Sequence, residues 1–280
     1  MDAVKPIDTL AFFPVVQSHL VELLRGLSAD DWQRPTICKG WSVKDIAAHL
    51  LDVDLRLISL YRDHYSHHDG TVINSYQSLV GYLNQLNHSW VVAARRLSPA
   101  VITDQLAQSG PQIYALLKEL PPFENAVFSV AWAGEDVSPN WFHVARQYTE
   151  IWHHQQQIRL AVGQTAPLMT AELYYPLLDT FARALPHTYR EVDAKEGTVV
   201  KMSITGNGGD TWYLCKQPGA WQLFTSDTDT AANATIIIDG EIAWRLFTKG
   251  ITRDEALNYI SISGDERLAL PVLGMLSVMA

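Results

Sequence analysis

Histidine, glutamate and glutamine recur along the stretch from Asn140 to Gln157, where His143, Gln147, Glu150, His154 and Gln157 follow one another at alternating steps of four and three. On a helix that spacing sets them on a single stripe. Glu150 and His154 are one turn apart with side chains on the same side, close enough to bind one metal ion. The stripe could also simply be the wet face of the helix, since a bare Glu-x-x-x-His pair stabilises ordinary helices, and Gln155 and Arg159 on the other side give that reading some support. The pair gains meaning from His49, which sits beside the apolar stripe of another helix, between Ile46 and Val53, where a solvent-facing residue is out of place. Two facing helices that offer His49, Glu150 and His154 make a facial set of nitrogen and oxygen donors, with positions left for water or substrate. Such a set suits a divalent metal, zinc by default, and nickel or manganese would also fit.

Other residues carry less chemistry. His64, His67 and His68 lie in a polar loop and read as solvated, and His143, two turns before Glu150, is too far for the same ion but could line its pocket. His153 points away from His154 by roughly a quarter-turn or more, so only His154 is assigned. Asp52, one turn past His49, is either an acceptor behind the ligands or a solvated carboxylate, the second being the simpler reading. Cys38 has no basic partner to activate it, and Gly206-Asn207-Gly208-Gly209 lacks the lysine and following helix of a phosphate loop, so it reads as a turn. The residues of the triad leave the catalytic groups themselves unassigned.

The elements that must position these groups are helical up to about residue 165. A first helix runs from about Asp8 to Leu27 on the stripe Leu10, Phe13, Leu20, Leu23, Leu24 and Leu27. Ser42-Val43-Lys44-Asp45 forms a capping box that opens a second, whose stripe is Val43, Ile46, Leu50, Val53, Leu57 and Leu60. Further helices are expected over Ser75–Leu97, Pro99–Leu120 and Trp141–Val162, the last two separated by a Pro- and Gly-bearing loop from Pro121 to Pro139. Long helices without strands between them predict an antiparallel bundle. After Pro167 the period changes. A helix over Ala171–Leu185 precedes alternating runs at Thr198–Ile204, Thr211–Cys215, Trp221–Phe224 and Thr235–Ile238, with Asn207-Gly208 as a hairpin signal. Helices near Glu241–Thr248, Arg253–Ile260 and Glu266–Leu276 follow, so this half reads as α+β. The expected division is therefore residues 1–165, a helical bundle, and residues 166–280, an α+β domain.

Composition limits the classes of function. The chain has 280 residues, 48% of them hydrophobic and 18% charged, enough apolar material for real cores. With 21 Lys and Arg against 30 Asp and Glu the formal net charge is −9, and no basic run occurs, which argues against nucleic acid and anionic membrane surfaces as partners. Two cysteines far apart exclude a disulfide framework and a thiolate zinc site. The first residues lack the features of a signal peptide and no apolar run reaches membrane-spanning length, so the expected location is cytoplasmic.

The segment Gly40-Trp41-Ser42-Val43-Lys44-Asp45-Ile46-Ala47-Ala48-His49-Leu50 resembles the N-terminal motif of the mycothiol-dependent maleylpyruvate isomerase family, within the DinB-like metalloenzyme superfamily, and Arg146…Glu150…His154 resembles that family's second metal-binding helix. The resemblance implies a DinB-like four-helix bundle with a divalent metal, usually zinc, on His49, Glu150 and His154, followed by a sterol-carrier-like α+β domain. The layout matches over essentially the whole chain, while the specific motifs are confined to about the first 160 residues. Two positions depart from the family pattern: Gln157 stands where an aspartate is frequent, and Gly250 is followed by Ile251 rather than arginine.

Three functions follow from these readings. The first is a metal-dependent isomerase or transferase that uses a low-molecular-weight, mycothiol-like thiol on a small organic acid or electrophile. The thiol would arrive as a small molecule, which fits a chain whose cysteines have no activated setting. The alternatives are a metal-dependent hydrolase and a non-catalytic small-ligand-binding protein. Phe128 and Trp132, just before the metal-binding helix, are expected either to cover the open metal positions as an apolar lid or to fill space between helices.

Overall fold

The computed structural model describes residues 2–67, 69–226 and 231–279. His68, read above as a solvated loop histidine, lies outside the described residues. The chain forms two compact units, each built from discontinuous segments: a helical unit of Asp8–Glu124 and Gln147–Leu168, and a sheet unit of Met1–Ile7, Asn125–Arg146 and Met169–Met279.

The helical unit contains α1 (Phe13–Gly26), α2 (Val43–Asp63), α3 (Tyr76–Ala94), α4 (Pro99–Lys118) and the larger part of α5 (Asn140–Val162). The capping box holds as read: Ser42 accepts from the Asp45 backbone N–H while the Asp45 carboxylate accepts from that of Ser42, satisfying two donors that the first turn of α2 would leave free. Ser75 and Ser78 form a second capping box at α3, Ser98 caps α4 by accepting from the Val101 backbone N–H, and Gly163 at φ +75° closes α5, a conformation in which a Cβ would be strained. Val43, Ile46, Ala47, Leu50 and Leu51 of α2 pack with Leu20, Leu23 and Leu24 of α1, Ile102 and Leu106 of α4, and Ile158 of α5 in one buried cluster. Burial of that apolar surface, rather than helix propensity, holds the bundle.

The sheet unit is built on six strands: β1 (Asp2–Ala3), β2 (Val199–Ile204), β3 (Thr211–Gln217), β4 (Ala220–Ser226), β5 (Ala234–Ile238) and β6 (Ile260–Gly264), in the order β1-β4-β3-β2-β5-β6. All pairs are antiparallel except β2 with β5. The Gly206–Gly209 segment is the turn between β2 and β3, with Gly206 and Gly208 at positive φ. Alternate residues Val200, Met202, Ile204, Trp212, Leu214, Ile236 and Ile238 are buried, as are Tyr174, Leu177, Leu178 and Phe181 of α6 (Ala171–Ala182). Asp179 of α6 accepts from Trp212 Nε1 at 2.8 Å and pairs with Arg183 at 3.0 Å, so this buried carboxylate is fully engaged.

Two segments differ from the periodic reading. Arg253–Ile260 was expected to be one helix, yet only Arg253–Ala256 is α-helical, and Ile260–Gly264 pairs antiparallel with β5. The alternation Ile260-Ser261-Ile262-Ser263 is too short to stand out without its partner strand. β1 is two residues long and owes its existence to pairing with β4.

Candidate metal centre

Three donor atoms converge inside the helical unit. His49 Nε2, from the second turn of α2, lies 3.0 Å from Glu150 Oε1, and His154 Nε2, one turn beyond Glu150 on α5, lies 3.2 Å from the same oxygen. The three ligand atoms all fall within 4.8 Å of one another. With bonds of about 2.0–2.1 Å, the ligand-to-ligand edges of a tetrahedral site are about 3.3 Å long, so the two observed edges match the spacing a small divalent cation requires. The imidazole rings meet edge to face with centroids 4.6 Å apart. His49 is 5% exposed and His154 9%, while the Glu150 side chain keeps 28% of its surface open, which gives the site an approach from solvent.

The electrostatics suit the same use. Burial pushes the His49 imidazole toward its neutral form, although the Glu150 carboxylate opposes this. Burial alone would raise the Glu150 carboxyl, but the charge of His154 and hydrogen bonds from His154 and His49 hold it well below the usual range. A neutral imidazole and an ionised carboxylate are the forms a cation binds. His49 Nδ1 is buried and has no hydrogen-bond partner among the described residues. His154 Nδ1 lies 2.9 Å from Gln157 Oε1.

Trp41 forms the remaining wall. Its ring stands 5.1 Å from that of His49 and stacks on His154 at 6.5 Å with an interplanar angle of 22°. Trp41 lies inside the Gly40–Leu50 motif, where its residue type alone marks no role. Its place eight residues before His49, at the turn that enters α2, was the available signal.

The other candidates separate as follows. His153 is not a member of the triad: its Nδ1 meets the Thr149 carbonyl at 2.7 Å, and burial lowers it to about 3. His143 is fully buried in the sheet unit, where Arg146 Nη2 is 3.0 Å from its Nδ1 and burial, with help from Arg146, lowers it to about 3. Asp52 is neither a support for the ligands nor solvated. It is 7% exposed and pairs with Arg56 at 3.0 Å, an i,i+4 contact on α2. Gln155 and Arg159, on the other side of α5 from the stripe, are buried too, and Arg159 reaches back to the carbonyls of His19 and Gln164. His64 and His67 are exposed as expected. Trp132 is 4% exposed and packs edge to face on Phe142 at 5.8 Å, within the sheet unit, as a space-filling aromatic does. Burial raises the Cys38 thiol, so it is no activated nucleophile. Among the described residues no helix is long and apolar enough to cross a membrane.

Comparison with known proteins places the fold and the family. One solved structure of a mycothiol-dependent maleylpyruvate isomerase, a mutant form, is 12% identical and superposes with a TM-score of 0.53 over 91% of this chain and 91% of that one. A second structure of a mycothiol-dependent maleylpyruvate isomerase is 10% identical, with a TM-score of 0.47 over 85% and 86%. None of the curated proteins matches the chain in sequence. The first likeness shows a shared fold, a helical N-terminal part joined to a C-terminal sheet part. Residues 16–159, which contain His49, Glu150 and His154, match the family model described as the mycothiol maleylpyruvate isomerase N-terminal domain, and the chain belongs to that family.

Proposed function

We propose that this chain is a metal-dependent enzyme in which His49, Glu150 and His154 hold one divalent cation, zinc by default, and that a small thiol of the mycothiol type serves as cofactor or co-substrate for isomerisation or S-transfer on a small organic acid or electrophile. The observation that carries the reading is the convergence of two imidazole Nε2 atoms on one carboxylate oxygen, at 3.0 and 3.2 Å, in a site with one open side. A solved structure that shares this fold is that of a mycothiol-dependent maleylpyruvate isomerase, which supports a thiol as the partner.

A divalent cation held there would lower the pKa of a bound thiol and so supply a thiolate at neutral pH. The protein's part is to keep the donors ready. Burial favours a neutral His49, whose Nε2 would give its lone pair to the cation with the ring proton on Nδ1, while an ionised Glu150 would offer the one negative charge of the set. Trp41 covers the imidazoles on one side, which excludes water from the rings and leaves the Glu150 side as the route for small molecules. Neither cysteine competes for the nucleophile's role, since Cys38 is held as a thiol by burial and Cys215 is a buried strand residue.

Two measurements test the reading. Metal analysis of the purified protein should give one divalent ion per chain, lost in His49→Ala and in His154→Ala; unchanged stoichiometry in both variants overturns the ligand set. Turnover of small electrophiles by the metal-loaded protein should require added thiol. Turnover without any thiol would instead assign the site to water activation, that is, to a hydrolase.

A further inference from the structure

The two imidazoles of the triad are supported unequally. His154 Nδ1 has Gln157 Oε1 at 2.9 Å, one turn further along α5, whereas His49 Nδ1 has no partner among the described residues. Gln157 is 5% exposed, so this contact is made away from bulk water and is not readily replaced by it.

The chemistry of the contact is directional. An imidazole that ligates through Nε2 carries no proton there, so a neutral ring must carry its proton on Nδ1, and a buried N–H requires an acceptor. The Gln157 oxygen is that acceptor. Its amide nitrogen in the same place would donate instead and drive the ring proton onto Nε2, closing the ligand face. The side chain is also neutral. Two neutral imidazoles and one carboxylate leave a bound divalent cation with one net positive charge, and a carboxylate at position 157 would cancel it.

We propose that Gln157 is a positioning residue of this site, whose amide oxygen holds His154 with Nε2 free for the cation and whose lack of charge preserves the site's net positive charge. The proposal rests on the metal reading above. It assigns to an uncharged side chain both the aim of one ligand and the strength with which the site acidifies what binds in the open position.

The test uses the full chain loaded with cobalt(II), whose visible spectrum reports coordination, and compares wild type with Gln157→Met and Gln157→Glu. Methionine matches the length of glutamine and removes the acceptor; glutamate keeps the acceptor and adds charge. In competition with a chelator, Gln157→Met should bind cobalt about 10- to 100-fold more weakly while keeping wild-type circular dichroism. Gln157→Glu should bind at least as tightly as wild type, and the pH midpoint of its visible spectrum, which reports the metal-bound water, should rise by about one unit. The inference is overturned if folded Gln157→Met binds cobalt within about twofold of wild type, or if the Gln157→Glu midpoint is unmoved. Should Gln157→Met fail to fold, the Gln157→Glu midpoint decides. Failure of the metal reading itself looks different: wild type then takes up no stoichiometric cobalt, or His49→Ala and His154→Ala retain it, and the role of Gln157 falls with it.

Discussion

Replacing Asp54 with asparagine removes a carboxyl that sits inside the bundle with a single neutral partner. Asp54 is 5% exposed on α2, Ser109 of α4 is 3% exposed, and the hydroxyl donates to the carboxyl at 2.5 Å. Among the described residues no cation offsets its burial: α3 contains no Asp, Glu, Lys or Arg, and Arg62, on the lip of a cleft of about 380 Å³ between α2 and α4, is committed to Asp63 and Gln112. Burial therefore raises this carboxyl from its ordinary 3.8 to about 7, with the Ser109 hydrogen bond lowering it only in part. In the unfolded chain the group binds its proton only below about pH 4, so between pH 4 and 7 the native state holds more protons and stability falls as pH rises. The full interval corresponds to about 4 kcal/mol, and the part between pH 5 and 8 to about 3 kcal/mol. Asparagine has the same shape, can still bond Ser109, and does not titrate. Urea denaturation of metal-free wild type and Asp54→Asn at pH 5, 6, 7 and 8 should show the variant gaining on wild type by about 3 kcal/mol across that range, with most of the gain complete by pH 7. Other carboxylates titrate in both proteins and cancel in the difference. A gap that stays constant within about 0.5 kcal/mol from pH 5 to 8 refutes the account, since it would mean that the carboxyl is ionised in the fold at no cost.

Three further outcomes follow from the geometry. Saturating metal should stabilise the protein by about 2.7 kcal/mol at a free concentration of 100 Kd, and Glu150→Gln should abolish the shift; a thermal-shift titration that moves both proteins equally contradicts the site. Asp179→Ala should cost about 3 kcal/mol, because it leaves the Arg183 guanidinium, 9% exposed at its side chain, without its counter-charge and Trp212 Nε1 without its acceptor; denaturation followed by tryptophan fluorescence reads this directly. Trp132→Ala should lose about 3–5 kcal/mol through the cavity left beside Phe142 while keeping full metal stoichiometry, and a variant of wild-type stability that no longer turns over would restore the lid reading.

Much of the bundle and the three residues of the candidate metal site were legible in the chain because the signals involved are local. A capping box spans three residues, a helical stripe repeats every three or four, and Glu150 and His154 are one turn apart, so Ser42-Asp45, the α2 stripe and the stripe of α5 could be read without knowing what packs where. His49 was the bridge to tertiary structure, a polar residue beside an apolar stripe whose oddness only a partner helix explains. What the sequence could not decide was every outcome set by residues far apart along the chain. Burial of Arg159 depends on carbonyls at His19 and Gln164, the strand at Ile260–Gly264 exists because β5 pairs with it, and residues Asn125–Arg146 join the sheet unit although they lie between helices of the bundle. Trp41 came against the imidazoles of the candidate metal site, and Asp54 became a carboxyl raised by burial beside Ser109, only when the turn before α2 and the seam between α2 and α4 closed. Periodicity states which side of a helix is apolar. Which polar groups then find partners inside is fixed by contacts across tens of residues, where hydrogen-bond satisfaction and desolvation, not local propensity, determine the result.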